Sequence, residues 1–189
     1  EIAGSMNAIA HNERFTYLHD SRTLYELDRT GNRLKKLFSC TGDTLLYSVS
    51  MDEKGDFWIG SNTGLGQYTP STNRYHPLPT SLFGEVSSVI CDHRGKVWIG
   101  ADHMLFAWML QSRKFILFGE SDGVIPNEYL AKPRLVSGKG EVYMGGVNGL
   151  LCIDNRFPAT SSNYPEVVLT DVRVNGEPAT NRTAGNPDK

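Results

Sequence analysis

Residues 57–68 read FWIGSNTGLGQY and residues 97–108 read VWIGADHMLFAW, with Trp58 and Trp98 standing 40 residues apart. A further step of 45 residues gives VYMGGVNGLLCI at 142–153. There Tyr143 takes the place of the tryptophan, and Gly145 that of Gly60 and Gly100. A step of 41 residues back from Trp58 gives TYLHDSRTLYEL at 16–27. In that copy Tyr17 holds the aromatic place and His19 the glycine's, so it is degenerate. The flanks recur as well. A turn precedes each of the last three aromatics: Asp52-Glu53-Lys54-Gly55, Asp92-His93-Arg94-Gly95 and Ser137-Gly138-Lys139-Gly140. Polar turns also follow the third run of each of the first three units, at 30–33, 71–74 and 111–114.

Each unit therefore holds four short β runs. In the third they are about Val86–Asp92, Lys96–Ala101, Leu105–Leu110 and Lys114–Phe118, punctuated as hairpins require. A four-stranded sheet that recurs every 40 to 45 residues is the arithmetic of a β-propeller blade. The fold class expected is all-β: four blades, followed by the first strands of a second β domain. A helical repeat is excluded, because Gly and Pro interrupt every candidate run. Blades pack face to face, and a large ring fills the wedge between them, so Tyr17, Trp58, Trp98 and Tyr143 read as packing residues. Gly60, Gly100 and Gly145 read as places of close backbone approach or a bulge. An end blade exposes its apolar face, so four blades are expected to form an arc of a larger ring, or a ring completed by a second copy.

Composition narrows the function. The chain has 189 residues, of which 39% are hydrophobic and 21% charged, as in ordinary globular proteins. Its net charge is −2 and no basic run exceeds Lys35-Lys36, which argues against nucleic-acid binding through this segment. The longest strongly apolar run, Met104 to Leu110, is far too short to span a bilayer. Residues 1–4 lack the basic start and apolar core of a signal peptide. Cys40, Cys91 and Cys152 have no metal-site spacing, and an odd number leaves at least one outside any intrachain disulfide. Cys91 follows Val89 and Ile90 in a predicted strand and reads as core filler.

These residues resemble the two-component regulator propeller repeat, whose core is aromatic-Ile-Gly, then Gly-Leu, then an aromatic strand. Trp58-Ile59-Gly60 with Gly64-Leu65 and Tyr68 fits it, as does Tyr143-Met144-Gly145 with Gly149-Leu150. Trp98-Ile99-Gly100 with Leu105 fits except that Met104 replaces the glycine. Residues 123–129, GVIPNEY, are similar to the lead-in of the family's last blade. Residues 166–178, EVVLTDVRVNGEP, resemble the opening of the β-sandwich named for its three tyrosines. This order is that of the extracytoplasmic sensor of hybrid two-component histidine kinases of gut Bacteroidetes, which detect glycans. The resemblance implies blades over 1–160 (about 1–39, 40–80, 81–120 and 121–160). Residues 161–189 would then be a linker and the truncated start of the sandwich. It also implies a periplasmic module, held to the membrane only through a helix downstream. An oligosaccharide ligand is implied, with the remainder of the sensor or a second copy as partner. Phosphorelay chemistry would belong to other domains, and no cofactor is expected.

Catalytic patterns are weak. Gly119-Glu120-Ser121-Asp122-Gly123 matches the nucleophile-elbow pattern, but Val124-Ile125-Pro126 starts no helix and no histidine follows Ser121. It reads as an inter-blade loop. Asp92, His93, Asp102 and His103 do not make a metal site, because His93 and His103 lie at opposite ends of one strand that rises about 3.3 Å per residue. In an up-and-down blade, the turn from second to third strand emerges on the same face as the loop leading to the next blade. That places Asn62, Asp102, His103 and Asn148 beside the long segment Gly119 to Ala131. The ligand-binding residues expected are Asp122, Asn127, Glu128 and Tyr129 with Asp102, His103 and Asn148. Amide, carboxylate and aromatic groups together suit sugars, whose hydroxyls need donors and acceptors and whose C–H faces pack on rings. Asn127 and Tyr129 also read as residues that shape the lead-in to the last blade. The alternatives are a protein-interaction scaffold and a fragment of a propeller enzyme, for which no residue speaks.

Overall fold

A computed structural model of the chain describes residues 6–79, 84–154, 173–174 and 177–178. The chain divides into two compact units, 1–159 and 160–189. In the first, blade one comprises β1 (Asn7–His11), β2 (Phe15–His19), β3 (Thr23–Asp28) and β4 (Arg33–Ser39). Blade two comprises β5 (Leu46–Met51), β6 (Phe57–Ser61), β7 (Gly64–Thr69) and β8 (Arg74–Pro77). Blade three comprises β9 (Val86–Cys91), β10 (Lys96–Ala101), β11 (Met104–Met109) and β12 (Lys114–Phe118). Blade four has three strands among the described residues: β13 (Tyr129–Val136), β14 (Val142–Gly146) and β15 (Gly149–Ile153). Every blade is an antiparallel meander, and the chain has the four-blade propeller arrangement its repeats predict. Segment 119–123 is the inter-blade connection expected of it, with one 3-10 turn at Glu120–Asp122. In the second unit β16 (Arg173–Val174) pairs antiparallel with β17 (Glu177–Pro178). The remainder of the sandwich-like segment 166–178 lies outside the described residues.

Of the first strands, which lie innermost, β9 is mostly buried and β5 half so, while β1 has no buried residue; the outer strand β8 is exposed along its whole length. The aromatic-glycine faces of blades two and three pack on the blade that follows. Trp58 clusters with Val86, Val89, Val97 and Ile99 of blade three, and Trp98 with Tyr129, Val142 and Met144 of blade four. Both indoles are only 2% exposed. A methyl group at Gly60 would stand 2.7 Å from the Val86 carbonyl oxygen, and one at Gly100 would overlap Tyr129 Cβ, so both glycines serve close approach. In blade one Tyr17 packs edge-on against Phe57 with ring centroids 5.2 Å apart.

The turn before each tryptophan has a role beyond turning. Asp52 Oδ1 accepts the backbone N–H groups of Lys54 and Asp56, while its Oδ2 accepts the Trp58 indole N–H at 3.0 Å. Asp92 repeats this with Arg94, Lys96 and the Trp98 indole. A buried indole N–H needs such a partner, so one carboxylate fixes both the hairpin and the wedge. Blade four uses a weaker version. Ser137 Oγ accepts the Glu141 N–H and donates to its carboxylate, which also accepts the Tyr143 hydroxyl. Cys91 is buried in the core as expected, and burial pushes its thiol up to about 12.

Candidate functional site

Each inner strand breaks register once. Ala8 and Ala10 pair with Leu18 and Tyr17, leaving Ile9 out of the ladder. Leu46 and Ser48 pair with Ser61 and Gly60, leaving out Tyr47, and Val86 and Ser88 pair with Ala101 and Gly100, leaving out Ser87. In blade four the break is wider, since Tyr129 pairs with Gly146 and Arg134 with Met144, so residues 130–133 bulge. A bulge re-aims its side chain. Here these residues wall the axial space between the inner strands.

A cavity of about 520 Å³ is lined by Tyr47, Ser87, Leu130 and Ala131 from the bulges. Leu46, Glu85, Asp102, His103, Glu128 and Tyr129 complete its wall. Four of the expected site residues, Asp102, His103, Glu128 and Tyr129, are thus brought together. Three carboxylates, an imidazole and the Tyr47 phenol face one space. Burial, then the neighbouring Glu85 carboxylate, push the Tyr47 phenol above its ordinary value. Burial raises that of Tyr129, whose ring fills the core and whose hydroxyl has no partner among the described residues.

The turn carrying Asp102 and His103 is a two-residue hairpin with φ of 46° and 65° at these positions. Blades two and four place Gly64 and Gly149 at φ 114° and 117° instead. Where Met104 replaces that glycine, the left-handed conformation passes to Asp and His, side chains that tolerate it better than most.

The remaining expected residues do other work. Asn127 is buried; its Oδ1 accepts the Asn148 N–H at 2.9 Å and its Nδ2 donates to the Gly149 carbonyl at 3.4 Å. Asn148 Nδ2 in turn donates to the Pro126 carbonyl. Asn62 does the same in blade two, accepting from Leu45 N–H and donating to the Asp43 carbonyl. Asp102 accepts the Gly84 N–H at 2.8 Å. The turn between second and third strands is thus a latch on its own blade's lead-in. Asp122 accepts the Gly119 N–H and lines a separate cavity of about 160 Å³ beside Trp98 and Phe118, away from the axial space. His93 and His103 stand at opposite ends of β10, and no cluster of three metal-ligating side chains occurs among the described residues.

A second axial cavity, about 320 Å³, shares Tyr47 and Ala131 with the first and is walled also by Asn7, His19, Lys132 and Arg134. Sequence reading named none of these last four as site residues. Burial first, then the positive charges of Arg134 and Lys132, hold the His19 imidazole below its ordinary value. The Asp20 carbonyl, which hydrogen-bonds Nδ1, acts the other way.

No protein-family model matches the chain. Over 92 residues it is 27% identical to histidine kinase P4 of Formosa agariphila, covering 49% of this chain and 7% of that protein. Among solved structures it is similar to the extracellular domain of a one component system of B. thetaiotaomicron. The TM-score is 0.63 and the identity 20%, over 82% of this chain and 22% of the other. The extracellular domain of a hybrid two component system of the same organism matches with a TM-score of 0.59 and 12% identity, over 80% and 20% of the two chains. The chain thus shares the propeller fold of these extracellular domains and spans about a fifth of their length. No helix among the described residues is long and apolar enough to cross a membrane.

Proposed function

We propose that the chain is the ligand-sensing part of an extracytoplasmic two-component sensor, and that it takes an oligosaccharide at the axial cavity. The observation that carries this reading is the wall of the larger cavity, where Glu85, Asp102, Glu128, His103 and Tyr47 converge at the bulged starts of the inner strands. Carboxylates accept pairs of sugar hydroxyls, and a phenol offers both a hydroxyl and a ring face. The similarity to extracellular domains of one- and two-component systems, and to a histidine kinase, supports a sensing role outside the cytoplasm. On this reading the segment is non-catalytic, and phosphorelay and gene control belong to other parts of a longer protein.

Titration of the chain with an oligosaccharide panel, followed by calorimetry, tests it. At least one member should bind. Glu128→Gln and His103→Ala should each weaken that binding by about 1–3 kcal/mol while leaving the fold intact. Failure of every member, or unchanged affinity in both variants, overturns the assignment. A second reading, a protein-interaction scaffold, is favoured by one observation: Leu135 and Leu150 on one face of blade four are 59% and 64% exposed.

A further inference from the structure

Repeat register isolates one residue. Val49 pairs with Ile59, Val89 with Ile99 and Arg134 with Met144. Ile59, Ile99 and Met144 each follow the repeat aromatic, so Val49, Val89 and Arg134 occupy one place in three blades. Both valines are fully buried core residues. In blade four the same place carries a cation.

The guanidinium reaches across to blade two. Nη1 donates to Ser48 Oγ and to the Ala131 carbonyl, and Nη2 donates to the Val49 carbonyl. All three acceptors are neutral. The guanidinium's hydrogen-bond acceptors include no carboxylate among the described residues. Arginine has five N–H donors, and three are used. Nε–H and the second Nη2–H keep no acceptor among the described residues, and these neighbouring nitrogens form the fork that takes an oxyanion bidentately. Lys132, two residues away on the bulge, adds a second cation to the same cavity wall. A cation withdrawn from water without a counter-charge is a standing cost, which a bound anion removes.

We infer that this inner cavity seats an anionic substituent of the ligand, a carboxylate or sulfate ester on the sugar, with neutral rings lying toward the carboxylate-lined outer cavity. The inference rests on the reading of the outer cavity as an oligosaccharide site. It goes further by fixing the ligand's class and its direction. The two cavities meet at Tyr47 and Ala131, cationic on one side and acidic on the other, so a ligand charged at one end enters one way round.

Calorimetric titration of the full chain with trigalacturonate, its fully methyl-esterified form and a sulfated galactose trisaccharide decides the matter. At least one anionic arm should bind about tenfold or more tighter than the ester, and the tighter arm identifies carboxylate or sulfate. Lys132→Gln should remove a severalfold share of that advantage, read as the ratio of anion to ester affinity. It is the informative variant, because Arg134→Gln also removes the bonds to Ser48 and Val49 and can unfold the chain. Ester binding as tight as either anion, or an anionic advantage untouched by Lys132→Gln, overturns the inference while the oligosaccharide reading stands. Binding by none of the three overturns both.

Discussion

Blades two and four carry the same repeat but differ in what lies against its aromatic face. In blade two that face is sealed: Trp58 is 2% exposed and Gly60 lies in the path of the Val86 backbone. In blade four Leu135, Tyr143 and Cys152 are cross-strand neighbours, and Gly145 pairs with Leu150. The face they form is open, with Leu135 and Leu150 largely exposed and Tyr143 half-buried. The difference teaches that the repeat aromatic is half of a joint. Its stabilising value depends on a following inner strand, and blade four lacks one among the described residues. This is the condition expected of an end repeat without a polar cap.

The sharpest contrast should come from truncating the two aromatics. Trp58→Ala should cost about 3–5 kcal/mol in urea unfolding, the range for a buried large ring. Tyr143→Ala should cost about 1 kcal/mol or less, as at a surface position. Equal losses would break the comparison. Next come the polar anchors. Asp52→Ala removes an indole acceptor and two turn bonds from a buried site and should cost about 2 kcal/mol, against about 0.5–1 kcal/mol for Ser137→Ala. Gly60→Ala should cost about 1–3 kcal/mol by forcing Val86 away.

The fold was legible because a propeller writes its geometry into a 40-residue spacing, and the Trp-Ile-Gly core set strand positions to within a residue or so in blade three. Asp52 and Asp92 were visible as turn residues, but their bond to an indole six positions on follows only from the hairpin's return. The site was legible in part. Asp102, His103, Glu128 and Tyr129 share a cavity because the up-and-down meander puts their loops on one face. Tyr47 and Ser87 were hidden, since a one-residue bulge leaves the blade spacing unchanged. Asn127 and Asn148 were visible as polar groups, yet their amides are spent on backbone latches. Arg134 left a trace, a cation at the place before the repeat aromatic where Val49 and Val89 stand, but the reach of its guanidinium to Ser48 and Val49 of blade two was not legible.

A smaller effect concerns blade one, where His19 stands in the glycine's place. Its imidazole is held below the ordinary value of 6.5, so the folded state favours the neutral ring. The stability this contributes is complete above that ordinary value. It is lost as pH falls through it toward the folded-state value, where the unfolded chain gains the proton first. Thermal unfolding at pH 7.5 and 5.5 should therefore show a drop that His19→Gln reduces. No difference between the two proteins would remove His19 from the account.

The open joint is tested most directly by sedimentation of the chain over a wide concentration range, beside the double variant Leu135→Lys, Leu150→Lys. An uncovered aromatic-glycine face predicts self-association of the parent chain that the double variant abolishes, with little change in unfolding midpoint. A parent chain that stays monomeric at every concentration, together with a double variant that unfolds far more readily, would show that face to be already sealed and would contradict the account.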